Sequence, residues 1–298
     1  SGLSNVQGCP FHPMSADAGV SQHSTVDTKI ALFRSLFRGR DDLYARRFAS
    51  LRTGKTGYSP ACANEWVRGL CDKRAVRCQD CPSRRFLPLS DETIRQHLTG
   101  RDERGREFVV GVYPMLLDET CFFLAIDFDK EGWRADIGAV RETCRQLGLP
   151  AAVERSRSGN GGHLWLFFAE ALPAVLARKL GAHILTETME RRPEIGLDSY
   201  DRFFPNQDTL PKGGFGNLIA LPLQKRPRAG DDSVFLDERL LPWPDQWAFL
   251  STMQRITCAQ AEFIVRAAEQ RGRVVGVRLP ILDEDQEGDA EPWNVPPS

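Results

Sequence analysis

Leu124-Ala125-Ile126-Asp127-Phe128-Asp129 is an apolar run of strand length that ends in two carboxylates two residues apart. On a strand, positions i and i+2 face the same way, so Asp127 and Asp129 converge on one spot at the strand's end. Two acids so placed repel each other unless a cation sits between them, and an all-oxygen site suits Mg²⁺ or Mn²⁺. Phosphoryl and nucleotidyl transfer use such sites. A solvated strand end is the plainer reading of the same six residues.

Some thirty residues on, Glu154-Arg155-Ser156-Arg157-Ser158-Gly159-Asn160-Gly161-Gly162-His163 leads into the apolar Leu164-Trp165-Leu166-Phe167-Phe168. The three glycines and small polar residues predict a loop whose backbone N–H groups approach phosphate oxygens. Arg155 and Arg157 add charge, and His163 stands at the mouth of a strand, placed to donate to a triphosphate. A glycine-rich hairpin with a packed histidine is the alternative. A third element, Ile195-Gly196-Leu197-Asp198, sets an acid after an apolar step, as a third metal ligand would be set. Beyond it, Gln207, Lys212, Asn217 and Lys225 are candidates for nucleotide, phosphate or template contacts, or parts of an ordinary basic surface loop.

Outward from these motifs, strand-like runs fall at 108–115, 121–128, 152–155, 163–168 and 217–223. Helical spacing falls at 91–98 (with Ser90 as N-cap), 137–147, 172–190 and 259–270. That order predicts an α+β or α/β core. In front of it, apolar residues at helical spacing over 30–52 share the segment with Arg34, Arg38, Arg40, Arg46, Arg47 and Arg52, predicting one or two amphipathic basic helices. The expected organisation is a flexible leader at 1–26, basic helices with a cysteine module at 27–90, a catalytic core at 91–280 and an acidic disordered tail at 281–298. The Ser1-Gly2 opening reads as a tag remnant.

Overall charge is a poor guide. The 39 basic and 40 acidic residues net to -1, which argues against a simple polycation. Yet residues 29–85 hold 14 Lys/Arg against 5 Asp/Glu, whereas 281–298 hold six acids and no base. A basic front and an acidic tail cancel only on paper. Of the eight cysteines, four crowd into Cys62-x8-Cys71-x6-Cys78-x2-Cys81. The Cys-x2-Cys step lets two thiolates meet one tetrahedral Zn²⁺, and the basic segment between the pairs cannot build a core alone, so one structural zinc is expected there. Reduced buried cysteines or two disulfides are the alternatives. No apolar run of about 18 residues and no secretory signal occurs, so no membrane contact is expected and a cytoplasmic, reducing location is.

Taken in order, Asp127/Asp129, Gly161-Gly162-His163 and Leu197-Asp198 resemble the three motifs of the archaeo-eukaryotic primase superfamily: Asp-x-Asp, small-x-His, and an apolar residue before Asp. The small position is glycine here where many members have serine. The resemblance is closer to primase-polymerase domains of TOTE conflict systems and their CRISPR-associated relatives. These share the Cys cluster after Tyr58-Ser59-Pro60-Ala61-Cys62 and the stretches Phe204-Pro205-Asn206-Gln207 and Gly216-Asn217-Leu218-Ile219-Ala220-Leu221-Pro222-Leu223-Gln224. It implies a core with an RRM-like antiparallel or mixed sheet, and a DNA primase-polymerase joining NTPs or dNTPs to a 3′-hydroxyl. Asp127, Asp129 and Asp198 would hold two Mg²⁺ or Mn²⁺ ions. His163, Arg157 and the backbone of Ser158, Gly159, Asn160, Gly161 and Gly162 would hold the triphosphate. Single-stranded DNA template and primer are the implied partners, with a fused or associated helicase, nuclease or CRISPR adaptation protein. A zinc-containing nucleic-acid-binding module without catalysis, and a metal-dependent nuclease, are the competing functions.

Overall fold

The computed structural model describes residues 19–50, 53–210 and 212–272. Its centre is a five-stranded sheet in the order β7-β4-β6-β5-β9. The strands are β4 (Thr120–Asp129), β5 (Ala152–Arg155), β6 (Gly161–Pro173), β7 (Tyr200–Phe204) and β9 (Val234–Leu236). A second sheet, β2-β1-β3-β8, is built from β1 (Ala45–Ala49), β2 (Thr56–Pro60), β3 (Val110–Val112) and β8 (Ile219–Ala220). All pairings between these strands are antiparallel. The fold is therefore α+β, as expected.

The alternation of β4 sorts the molecule into two cores. Leu124, Ile126 and Phe128 pack with Leu164, Leu166 and Phe168 of β6 under α3 (Trp133–Gln146), α4 (Ala174–Arg191) and α7 (Cys258–Gln270). Phe123 and Ala125 lie on the other face with Trp165 and Phe167, covered by α1 (Val26–Leu36), α2 (Asp91–Thr99) and residues of the second sheet. By the same period of two, Asp127, Asp129 and His163 belong to that second face, on the side of the N-terminal segment.

The N-terminal segment departs from its expected form. Only α1 is helical; Leu43 to Phe48, given a second helix by their apolar spacing, run through β1, where Ala45 to Ala49 pair with Pro60 to Thr56 of β2. Gly39 follows the helix end: a Cβ there would stand 2.5 Å from the Tyr113 carbonyl, so only glycine fits where the chain passes it. Of the expected leader, 1–18 fall outside the described residues, and the rest is tied down. Val20 is buried, and the Gln22 N–H donates to Asp245 at 2.8 Å. The acidic 281–298 also lies outside the described residues. The basic front is partly matched within the fold: Arg34 pairs with Asp91, Arg47 with Glu107, and Arg46 and Lys73 with Glu65.

Helix α2 starts as its sequence predicts, with Ser90 and Thr93 closing a reciprocal capping box. Its His97 is fully buried. The ring Nδ1 accepts the Val110 N–H at 3.1 Å, which leaves Nε2 to donate to the Pro222 carbonyl at 2.8 Å. Only the neutral ring satisfies both bonds, and burial holds its pKa down at about 4. The unfolded chain takes up this proton near the ordinary value of 6.5, so the contribution is full above that value and is lost as pH falls toward 4. The difference amounts to roughly 3 kcal/mol. Urea unfolding at pH 7 and pH 4.5 should show that loss, and it should shrink in His97→Gln.

Candidate active site

Three strands place the site in register. Asp127 of β4 lies directly opposite His163 of β6, and His163 lies opposite Glu154 of β5. One row across the sheet therefore reads Asp127-His163-Glu154. His163 Nε2 stands 3.4 Å from Asp127 Oδ1, and Nδ1 stands 2.9 Å from Glu154 Oε2. Burial alone would lower the imidazole pKa, but the Glu154 and Asp127 carboxylates outweigh it and raise it to about 9. Both carboxylates favour the protonated ring.

Further along β4, Phe128 pairs with Gly162 and Asp129 with Gly161. These two glycines are strand residues rather than loop residues. A Cβ on Gly161 would collide with the Asp129 carboxylate and the Phe128 carbonyl, and one on Gly162 would sit 2.7 Å from the Trp133 ring. Glycine is required because the acid and the tryptophan press on the strand. The turn itself is Ser156 to Asn160, with Gly159 left-handed at φ +77° and Ser158 Oγ accepting the Asn160 N–H. An open cleft of about 590 Å³ lies beside it, lined by Asp129, Trp133, Arg134 and Asn160 among others.

The acid brought to Asp127 and Asp129 is Asp201, and Asp198 lies outside the group. Ligand oxygens of Asp127, Asp129 and Asp201 all lie within 4.8 Å of one another, the one such group among the described residues. Asp198 is exposed and precedes the strand, in a turn where Leu197 takes φ +53°. The shift has a local cause. On β7, Phe203 pairs with Ile126 and Tyr200 with Phe128, so two residues, Asp201 and Arg202, oppose the single Asp127. This bulge re-aims the strand and sets Asp201 beside Asp127. The turn is anchored from α3: Asp136 Oδ2 accepts both the Ser199 N–H at 3.1 Å and its hydroxyl at 2.5 Å, while the Asp129 N–H donates to the Ser199 carbonyl at 2.7 Å. The aromatic run Tyr200-Asp201-Arg202-Phe203-Phe204 was the available signal, since it marks the strand and so puts Asp201 on it.

Burial pushes Asp127 up, His163 pulls it back, and Asp129 and Asp201 add to the rise, leaving its pKa at about 6. Asp127 Oδ1 is buried without a hydrogen-bond donor. Three hard oxygen donors, one of them unsatisfied, fit a divalent cation of the Mg²⁺ or Mn²⁺ kind.

Other expected contacts sit differently. Arg157 is held by Gln224 and, at 3.1 Å, by Glu107. Asn217 bridges the Phe203 carbonyl and the Asn206 N–H, so it braces the end of β7. That end pairs toward Ala125, away from the Asp129 tip. Gln207 Oε1 is buried without a partner beside Gly216. Lys212 and Lys225 are exposed, Lys225 opening the short helix α5 (Lys225–Arg228). Neither joins the acidic cluster.

Cys62, Cys71, Cys78 and Cys81 are free, half-buried thiols in a stretch of turns. The Arg85 N–H points at Cys62 Sγ at 3.3 Å. Burial raises the Cys78 thiol, Lys73 opposes, and nearby Cys71, Glu65 and Cys62 add to the rise. Apolar Val67, Leu70 and Val76 of this module are exposed, so it has no core of its own.

No curated protein matches the chain by sequence. Among solved structures, the polymerase domain of Mycobacterium tuberculosis ligase D in complex with DNA aligns over 83% of this chain and 88% of that one, at 14% identity and a TM-score of 0.38. No helix among the described residues is long and apolar enough to cross a membrane. The family model for the archaeo-eukaryotic primase domain of the TOTE conflict system matches residues 28–264. That span takes in both sheets, the cysteine module and all three clustered acids, and the chain belongs to this primase family.

Proposed function

We propose that this chain is a DNA primase-polymerase: on a single-stranded DNA template it joins NTPs or dNTPs to a 3′-hydroxyl and makes and extends primers. The observation that carries the reading is the convergence of Asp127, Asp129 and Asp201 at one end of the sheet, facing the His163 ring. Membership of a primase family supports nucleotidyl transfer as the chemistry.

Two Mg²⁺ or Mn²⁺ ions held by Asp127, Asp129 and Asp201 would supply activation of the 3′-hydroxyl and charge neutralisation at the departing pyrophosphate. The chain's own residues do the rest. His163 offers a positive N–H beside the acids, suited to an anionic phosphate oxygen. The backbone of Ser158, Gly159 and Asn160 turns next to it. Arg157 reaches a phosphate only by leaving Glu107 and Gln224. Cationic side chains of the N-terminal segment, on the same side of the sheet as the acids, suit a template backbone, and DNA affinity should fall steeply with salt.

A nucleotide titration tests the reading. Triphosphate binding should require Mn²⁺ or Mg²⁺ and weaken in Asp127→Asn; metal-independent or absent binding would favour a non-catalytic nucleic-acid module. Shortening of labelled DNA without nucleotides would favour a nuclease.

For the cysteine module, the proposal is one structural Zn²⁺ on Cys62, Cys71, Cys78 and Cys81. Four unpaired thiols, with Cys62 and Cys71 close enough to Cys78 to act on it, and a segment without its own core support it, while no three of the sulfurs lie within 4.8 Å of one another. Purified protein should carry one zinc per chain, and Cys78→Ser should lose it together with a large drop in melting temperature, because metal-binding energy here is folding energy. Unchanged zinc content and melting in that variant would contradict the assignment.

A further inference from the structure

Glu154 is a carboxylate inside the sheet, 2% exposed, that the acidic cluster does not use. Its Oε2 is 2.9 Å from Trp165 Nε1 and 2.9 Å from His163 Nδ1. The indole N–H can only donate, so Oε2 accepts there, and the imidazole likewise donates at Nδ1. One carboxylate oxygen thus fixes two rings. Trp165 is itself immobile: fully buried, it meets Phe37 edge-on at 5.0 Å and stacks along Phe167. The clamp therefore runs from the core to the site, and it turns Nε2 toward Asp127 Oδ1, 3.4 Å away.

We infer that Glu154 is a positioning residue: it holds the His163 ring so that its Nε2 edge faces the side of the acidic cluster where the nucleotide's phosphate would lie. This rests on the reading of His163 as a nucleotide contact. Glu154 touches no reacting atom in that account. It acts through a histidine whose orientation would otherwise be free to turn about its Cβ–Cγ bond, as outer carboxylates do for functional histidines elsewhere.

The test is a double-mutant cycle on the full chain, read as the equilibrium Kd for dNTP in Mn²⁺. Glu154→Ala should weaken binding about 10-fold or more, the usual cost of losing such a support. In a His163→Ala background the same change should cost less than about twofold, because nothing is left to orient. Glu154→Gln keeps an acceptor oxygen for both rings and should recover most of the loss. It also guards against misfolding, since Glu154→Ala strands the buried Trp165 N–H. Equal effects of Glu154→Ala with and without His163, or a Gln variant as poor as the Ala variant, would overturn the positioning role. A His163→Ala variant that binds nucleotide as well as wild type would instead overturn the reading of the site itself.

Discussion

Asp201→Ala is expected to reduce nucleotide incorporation by roughly 10²–10³-fold, the range for removing one preorganised electrostatic group from a reacting centre, while Asp198→Ala stays within about threefold of wild type. The contrast decides between two acids three residues apart. Asp198 follows an apolar residue, which is what the motif asks for, but it sits exposed before the strand. Asp201 shares a 4.8 Å cluster with Asp127 and Asp129. Both substitutions are half-exposed or exposed and remove little packing, so melting temperatures should stay close to wild type. A primer-extension time course with equal protein concentrations reads the result. Loss of activity in Asp198→Ala with Asp201→Ala intact would return the third ligand to the turn and reject the bulge argument.

The second large effect is on stability. Phe37→Ala should cost about 3–5 kcal/mol, the usual range for a buried aromatic truncated in a core. Phe37 is 2% exposed and meets Phe33 of α1 at 4.6 Å and two rings of β6, Trp165 at 5.0 Å and Phe167 at 5.3 Å. Its residue number puts it in the N-terminal portion, yet two of these three rings belong to β6. The unfolding transition of the whole chain should therefore move together, followed by far-UV and Trp fluorescence in urea. Were 27–90 a separate module, Phe37→Ala would shift one transition and leave the other in place. Nucleotide affinity should also weaken, because Trp165 supports the Glu154 clamp.

Much of the site was legible because a strand's period of two is rigid. Asp127 and Asp129 had to share a face, and His163, opening the next apolar strand, had to meet that face if β6 paired with β4. Asp201 was hidden by a bulge, a one-residue irregularity that shifts which acid meets the cluster and that no short motif encodes. Glu154 was hidden for another reason. Its partners are on the next strand, nine and eleven residues away, so it looked like one more charge at the end of the 152–155 strand. Gly161 and Gly162 looked like loop because glycine usually marks one; here they are glycine because Asp129 and Trp133 occupy the space a Cβ would fill. The same ambiguity misplaced 43–49: Tyr44 and Phe48, four residues apart, fit one helix face, and the deciding contact, the pairing of Ala45 to Ala49 with Pro60 to Thr56, is made by a later segment. The charge pattern was informative about segregation, though acids such as Asp91 and Glu107, outside the basic stretch, take up part of it.

The most direct measurement is a short-product gel with single-stranded DNA template, with and without primer, comparing NTPs and dNTPs in Mg²⁺ and in Mn²⁺. The account predicts products that lengthen only with template, nucleotide and divalent metal together, and that vanish in Asp127→Ala/Asp129→Ala. Full synthesis in that double variant, or no synthesis by the wild-type chain under any of these conditions, would contradict it.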